Sequence, residues 1–118
     1  MHELSICQGL LSQVKRVAKE NDARSVALIR IRVGALSGVE PPLLERAFEI
    51  AREGTIAQEA ELEIETGPVV VKCQECGASS AVPANRLVCQ YCGEWRVNVT
   101  EGDELLLLSV ELNLDQGE

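Results

Sequence analysis

The sequence predicts an α+β fold: a small mixed α/β domain of three strands and two helices, interrupted by an inserted cysteine-rich ribbon lobe. Three observations carry that prediction. Two stretches space their apolar residues as one face of a helix, and three others alternate apolar and polar residues as strands do. Between the second and third of those strands lies a segment with four of the chain's five cysteines and no helical period. A chain of 118 residues is about one domain long, so its core must be modest.

Residues 4–20 place Leu4, Cys7, Leu10, Leu11, Val14, Val17 and Ala18 at helical spacing, with Lys15, Arg16, Lys19 and Glu20 mostly off that face. Asn21-Asp22 ends the helix. Ile29, Ile31 and Val33 then alternate with Leu28, Arg30 and Arg32, which predicts a strand near 25–35 with one buried face. Gly34 and Gly38 bracket an expected turn. Pro41-Pro42 after Glu40 marks a helix start, because proline's missing N–H costs no helix bond in the first turn. Leu43, Leu44, Ala47, Phe48 and Ala51 form the apolar face of that second helix, and Gly54 suits its stop.

A strand near 59–67 follows, with Leu62 and Ile64 against Glu61, Glu63 and Glu65. Gly67-Pro68 breaks it, and residues 69–100 form the inserted lobe. The last strand, near 104–113, is expected to turn Leu106, Leu108, Val110, Leu112 and Leu114 to one side. The predicted division is therefore a discontinuous α/β unit, 1–68 with 101–118, around a lobe of 69–100. A bound metal in that lobe would substitute for the core that so short a chain lacks.

Composition excludes several functions. Eleven basic and nineteen acidic residues give a net charge of −8, which repels nucleic acid and anionic membranes over most of the surface. Phe48, Tyr91 and Trp95 are the only aromatics, too few for a platform that stacks bases. The Leu105–Leu108 run is far short of the roughly 20 residues of a membrane helix. His2 and Glu3 follow Met1 where a secretory signal would place basic residues and a long apolar core, so a cytoplasmic location is expected. No nucleophile with a paired base and no glycine-rich phosphate loop is present, so the chain reads as a non-enzyme.

Cys73-Gln-Glu-Cys76-Gly and Cys89-Gln-Tyr-Cys92-Gly are two C-x2-C-G turns separated by twelve residues. Each brings two thiolates to one side of a tight loop that its glycine closes, and together they complete a tetrahedral sulfur site for zinc. Four cysteines leave no open position for water, so the zinc is structural. Lys72, Arg86 and Arg96 are candidates to offset the net −2 of the metal and its thiolates. A redox role for the C-x-x-C pairs is weak, because such a site uses one pair at a helix N-terminus after a strand. Cys7, between Leu4 and Leu11, reads as a small core residue.

The second constellation is Met1-His2-Glu3. His2 is the only histidine. A bulky second residue prevents removal of the initiator methionine, so the α-amine belongs to Met1. Amine, His2 amide nitrogen and imidazole can then close adjacent chelate rings, with Glu3 as a fourth donor, a tetragonal set that suits Ni(II) or Cu(II) rather than zinc. A frayed, solvated terminus is the competing reading on residue types alone. Glu40 either caps the second helix or leans toward this site.

The Met1-His2-Glu3-Leu4 opening, the Val33-Gly34-x-Leu36-Ser37 segment and the Cys73-x2-Cys76…Cys89-x2-Cys92 lobe, followed by Gly102…Glu104-Leu105, together resemble the HypA/HybF family of hydrogenase maturation nickel chaperones. The resemblance covers essentially the whole chain. It implies a mixed α/β nickel domain with an inserted zinc ribbon, and a nickel site using the N-terminal amine, His2 and Glu3, with a carboxylate at the position of Glu40 in some members. It implies delivery of Ni(II) rather than catalysis, with a HypB-like GTPase and the hydrogenase large subunit as partners, by a monomer or weak homodimer. Some members carry histidines beside the zinc cysteines; Gly77 and Gly93 stand here, so no switch from those histidines is expected. A zinc-ribbon adaptor in protein or nucleic-acid assemblies is the alternative, and the −8 charge and the Met1-His2-Glu3 start argue against it.

Overall fold

A computed structural model describes residues 3–114; Met1, His2 and the last four residues lie outside the described residues. Its elements are helix α1 (Glu3–Glu20), strand β1 (Ala23–Gly34), helix α2 (Pro41–Ala51), and strands β2 (Glu61–Gly67), β3 (Val69–Cys73), β4 (Ser79–Val82), β5 (Val97–Glu101) and β6 (Leu105–Leu114). They form two three-stranded sheets. In the first, β1 is central, parallel to β2 and antiparallel to β6. In the second, β3 is central and antiparallel to both β4 and β5. The radius of gyration is 17.9 Å, against about 13.5 Å for a compact chain of this length, so the molecule is drawn out along 62 Å.

The first sheet buries one face under both helices. Cys7, Leu10, Leu11, Val14 and Ala18 of α1 and Leu44, Ala47 and Phe48 of α2 pack with Val26, Ile29, Ile31 and Val33 of β1. The opposite face is charged. Register places Arg30 beside Glu63 and Arg32 beside Glu65, and both pairs close as ion pairs, at 2.9 Å and 2.7 Å from the arginine Nε atoms. The charge patterning that marked this strand pair as half-buried thus becomes cross-strand pairing on the solvent side.

Four expectations need correction. Leu106 and Leu108 do not share the side of Val110 and Leu112: Arg30 pairs with Ser109 but Ile31 with Leu107, so Leu108 bulges from the ladder and the alternation changes phase. Leu105 and Leu107 consequently pack on the core while Leu106 and Leu108 are exposed. Leu4 and Leu43, assigned to the apolar helix faces, are also largely exposed, at 45% and 40%. Glu40 stands at the N-cap of α2 but makes no side-chain cap bond. Gly34 is not part of a turn; it is the buried last residue of β1.

Gly34 is small for a reason of packing. A Cβ there would stand 2.2 Å from the carbonyl oxygen of Gly102, so the two backbones touch where the chain returns from the second sheet. Gly34 N–H donates to Glu104 O at 2.8 Å and Leu36 N–H to Gly102 O at 2.6 Å. Gly102 itself has φ +116°, a conformation side chains rarely adopt. The Leu36 side chain reaches across to pack on Val69, Val71 and Val82, the small core of the second sheet. The two sheets are therefore joined by a backbone crossing as well as by the chain itself.

Candidate metal centre

The second sheet carries two loops built alike. After β3, Gly77 N–H donates to Cys73 O at 3.1 Å; after Val88, Gly93 N–H donates to Cys89 O at 2.9 Å. Both glycines have positive φ, +75° and +78°, which closes each loop over its first cysteine. Within the loops, N–H groups point at sulfur: those of Glu75 and Cys76 lie 3.3 Å and 3.4 Å from Cys73 Sγ, and that of Tyr91 lies 3.4 Å from Cys89 Sγ. Such donors favour the thiolate over the thiol.

The ligand atoms of Cys73, Cys76, Cys89 and Cys92 all lie within 4.8 Å of one another. Cys73 Sγ is 3.6 Å from Cys92 Sγ, and Cys76 Sγ 3.7 Å from Cys89 Sγ. A zinc ion about 2.3 Å from each corner of a sulfur tetrahedron sets those edges at about 3.8 Å, so the four residues fit such an ion. Cys73 and Cys89 are buried while Cys76 and Cys92 face outward. The backbone N–H of Cys92, then that of Tyr91, draws the Cys89 thiol down to about 7, and the N–H of Cys76 leads the lowering at Cys73. At Cys76 and Cys92 the N–H groups of Ala78 and Glu94 pull downward, but neighbouring sulfurs and desolvation prevail and raise both, Cys92 to about 12. Four sulfurs so close cannot all hold charge without a cation among them.

Of the three bases expected to offset that charge, Arg96 lies near enough to Cys73 for the sulfur to act on its guanidinium. It is also fixed by Glu94 at 2.6 Å and Glu75 at 3.1 Å, so its charge is shared. The only sequence signal for these carboxylates is that Glu94-x-Arg96 directly follows the second cysteine loop.

The residues expected at the other centre are only partly described, since Met1 and His2 lie outside the described residues. Glu3 opens α1 and is buried, one of two buried polar residues among those described. A carboxylate suits that position because helix N-termini are electropositive. The backbone N–H of Glu40 lies against its carboxyl, so the start of α2 meets the start of α1. Cys7, one turn on, is fully buried and donates from Sγ to Leu44 O at 3.5 Å. Burial, and then the charge of Glu3, push its thiol up to about 11, which leaves it protonated and unreactive.

A helix-covered mixed sheet, a tetracysteine ribbon and a buried carboxylate at the very start of the first helix define a small α+β protein with a tetracysteine metal site. Residues 1–112 match the family described as hydrogenase/urease nickel incorporation, metallochaperone, hypA, and the chain belongs to that family. It is 48% identical over 112 residues to a hydrogenase maturation factor HypA of Nitrosospira multiformis, covering 95% of this chain and 97% of that protein. It is 42% identical to the HypA of Aquifex aeolicus, covering 98% and 100%. The solution structure of the nickel metallochaperone HypA from Helicobacter pylori superposes with a TM-score of 0.75 at 30% identity, covering 98% of this chain and all of that one.

Proposed function

We propose that this protein binds Ni(II) through the Met1 amine, His2 and Glu3 and delivers it to the large subunit of a hydrogenase, with zinc held structurally by Cys73, Cys76, Cys89 and Cys92. The match of residues 1–112 to a nickel incorporation family carries the reading. The division of labour follows the two sheets: residues 69–100 hold zinc, and 1–68 with 101–118 hold nickel. The protein is a carrier and not a catalyst, acts in the cytoplasm, and receives or releases nickel through a HypB-like GTPase, as a monomer or weak homodimer.

The chemistry of the donors supports carriage over storage. Protonation of the amine, imidazole or carboxylate, or competition from a partner's thiolates, can strip the nickel. Glu3 fits the role because its carboxyl is buried at the start of α1 and therefore held in place. Glu40 joins as a carboxylate only if its side chain turns to the same metal; its backbone already meets Glu3.

Nickel titration with elemental analysis on tag-free protein tests this. One residue added before Met1, or His2→Ala, is expected to abolish tight Ni(II) binding while one zinc per chain remains. Unchanged nickel affinity in both variants overturns the N-terminal site. Because the matched family serves urease as well as hydrogenase, transfer to each apo-enzyme in turn settles the client.

A further inference from the structure

We propose that the groove between α1 and α2 docks an amphipathic, acidic helix of a partner protein. The helices run side by side in the same direction: Cys7 meets Leu44 near their starts, and further along Gln8, Leu11, Ser12 and Lys15 of α1 line a cleft of about 230 Å³ with Ala51 and Thr55. Leu4 precedes Leu11 by seven residues, on the same side of α1. On α2, Leu43 and Ala47 precede Ala51 by two turns and one turn, and Ile50 follows Leu43 by seven. Helical spacing thus continues both stripes from that cleft over roughly three turns, about 16 Å.

Several apolar side chains along these stripes are exposed, with Gln8 and Ser12 between them on α1. Leu4 is 45% exposed, Leu43 40% and Ile50 68%, over a floor of Leu11 and Ala47 that is buried. Anchors at i, i+4 and i+7 on paired helices are what a third helix packs against.

Charge selects the occupant. The protein carries −8, yet three of the four exposed charges on α1 are basic: Lys15, Arg16 and Lys19, against Glu20. None of the three makes an ion pair among the described residues. Lys15 lies in the groove wall and Lys19 one turn beyond, and on the far lip Arg46 stands between Leu43 and Ile50. A helix with a leucine-type stripe and flanking Glu or Asp residues satisfies both features. An anionic membrane shares the preference for basic and apolar groups, but the remaining acidic surface opposes it. The groove opens beside Glu3 and Glu40, yet its docking role does not depend on which metal, if any, binds there.

The test places a photo-crosslinking amino acid at Ile50 in the full-length, zinc-loaded chain expressed in its own cells, and sequences the cross-linked peptide. The expected adduct lies on a helical segment with apolar residues at helical spacing and acidic flanks. Lys15→Glu with Lys19→Glu should cut its yield at least fivefold, whereas Arg24→Glu with Arg30→Glu, an equal charge change elsewhere, should not. Circular dichroism and zinc content confirm that each variant folds. No adduct, an adduct on a second copy of this chain or on lipid, a basic or extended target, or equal losses in both charge variants overturns the proposal.

Discussion

Replacing Gly34 by alanine tests the crossing that joins the two sheets. The added Cβ would stand 2.2 Å and 2.3 Å from the oxygen and carbon of the Gly102 carbonyl and 2.9 Å from Asp103 N, all backbone atoms that cannot rotate aside. The strands must part. Two short hydrogen bonds then lengthen or break, Gly34 N to Glu104 O and Leu36 N to Gly102 O, each worth about 1 kcal/mol net. Overpacking in a close-packed site adds about 1–3 kcal/mol. The sum, about 3–5 kcal/mol, is a large share of the roughly 5–15 kcal/mol that holds a domain together. At about 4 °C per kcal/mol the melting midpoint should fall by more than about 10 °C. Gly9→Ala is the control, because nothing lies within 4 Å of a Cβ there and the position is an exposed helix interior, so stability should rise by up to about 1 kcal/mol. Urea denaturation of the zinc-loaded protein, followed by circular dichroism, measures both. If Gly34→Ala unfolds within error of the parent, or shifts as Gly9→Ala does, the crossing is not the constraint described.

Ile31 is fully buried at the centre of β1, so Ile31→Ala should cost about 2–5 kcal/mol in the same assay, and a loss under about 1 kcal/mol contradicts the core as drawn. Glu63→Ala, which breaks an exposed pair with Arg30, should cost no more than about 1 kcal/mol and less in high salt. The Gly102 N–H, then the amides of Glu104 and Asp103 and the charge of Arg32, hold Glu104 below its ordinary value of 4.5 despite desolvation. Its stabilising contribution is therefore present above that ordinary value and lost as the pH falls through the lowered one. Glu104→Gln should be less stable than the parent near neutrality, with the gap closing in acid; a gap that widens on acidification has the wrong sign. Cys73→Ala should release the metal and melt the second sheet while the helical signal survives, as read by zinc content and far-ultraviolet circular dichroism.

Local chemistry made much of this fold readable. Both helices announce themselves by spacing, and the cysteine loops by repeating Cys-x2-Cys-Gly with the glycine where φ must be positive. What stayed hidden depends on contacts between distant residues. Leu105 to Leu108 are four identical side chains, which give no phase, so the bulge at Leu108 carries no sequence signal and simple alternation puts the strand's faces out of register. Gly34 and Leu36 looked like the approach to a turn, because nothing local says that the returning chain presses on one while the other completes a remote core. The exposure of Leu4 and Leu43 is equally invisible, since an apolar residue at helical spacing reads as buried whether or not anything covers it.

The tetracysteine lobe shows why a metal belongs in it. Its fully apolar core is three buried valines, Val69, Val71 and Val82, with Leu36, Leu87, Val97 and Val99 only partly covered. One of those seven is borrowed from the other side of the crossing. The lobe's two large aromatics could have enlarged that core, yet Tyr91 and Trp95 are 74% and 73% exposed, and the guanidinium of Arg96 lies over the Trp95 ring from outside. Burying three valines contributes at most several kcal/mol, while ordering each residue of the lobe costs about 1–2 kcal/mol in backbone entropy alone. Binding of zinc to such a site contributes about 10–16 kcal/mol, more than those valines do. A lobe that draws its stability from the metal can leave Tyr91 and Trp95 on its surface, and can be inserted into a short chain as three short strands and a glycine crossing.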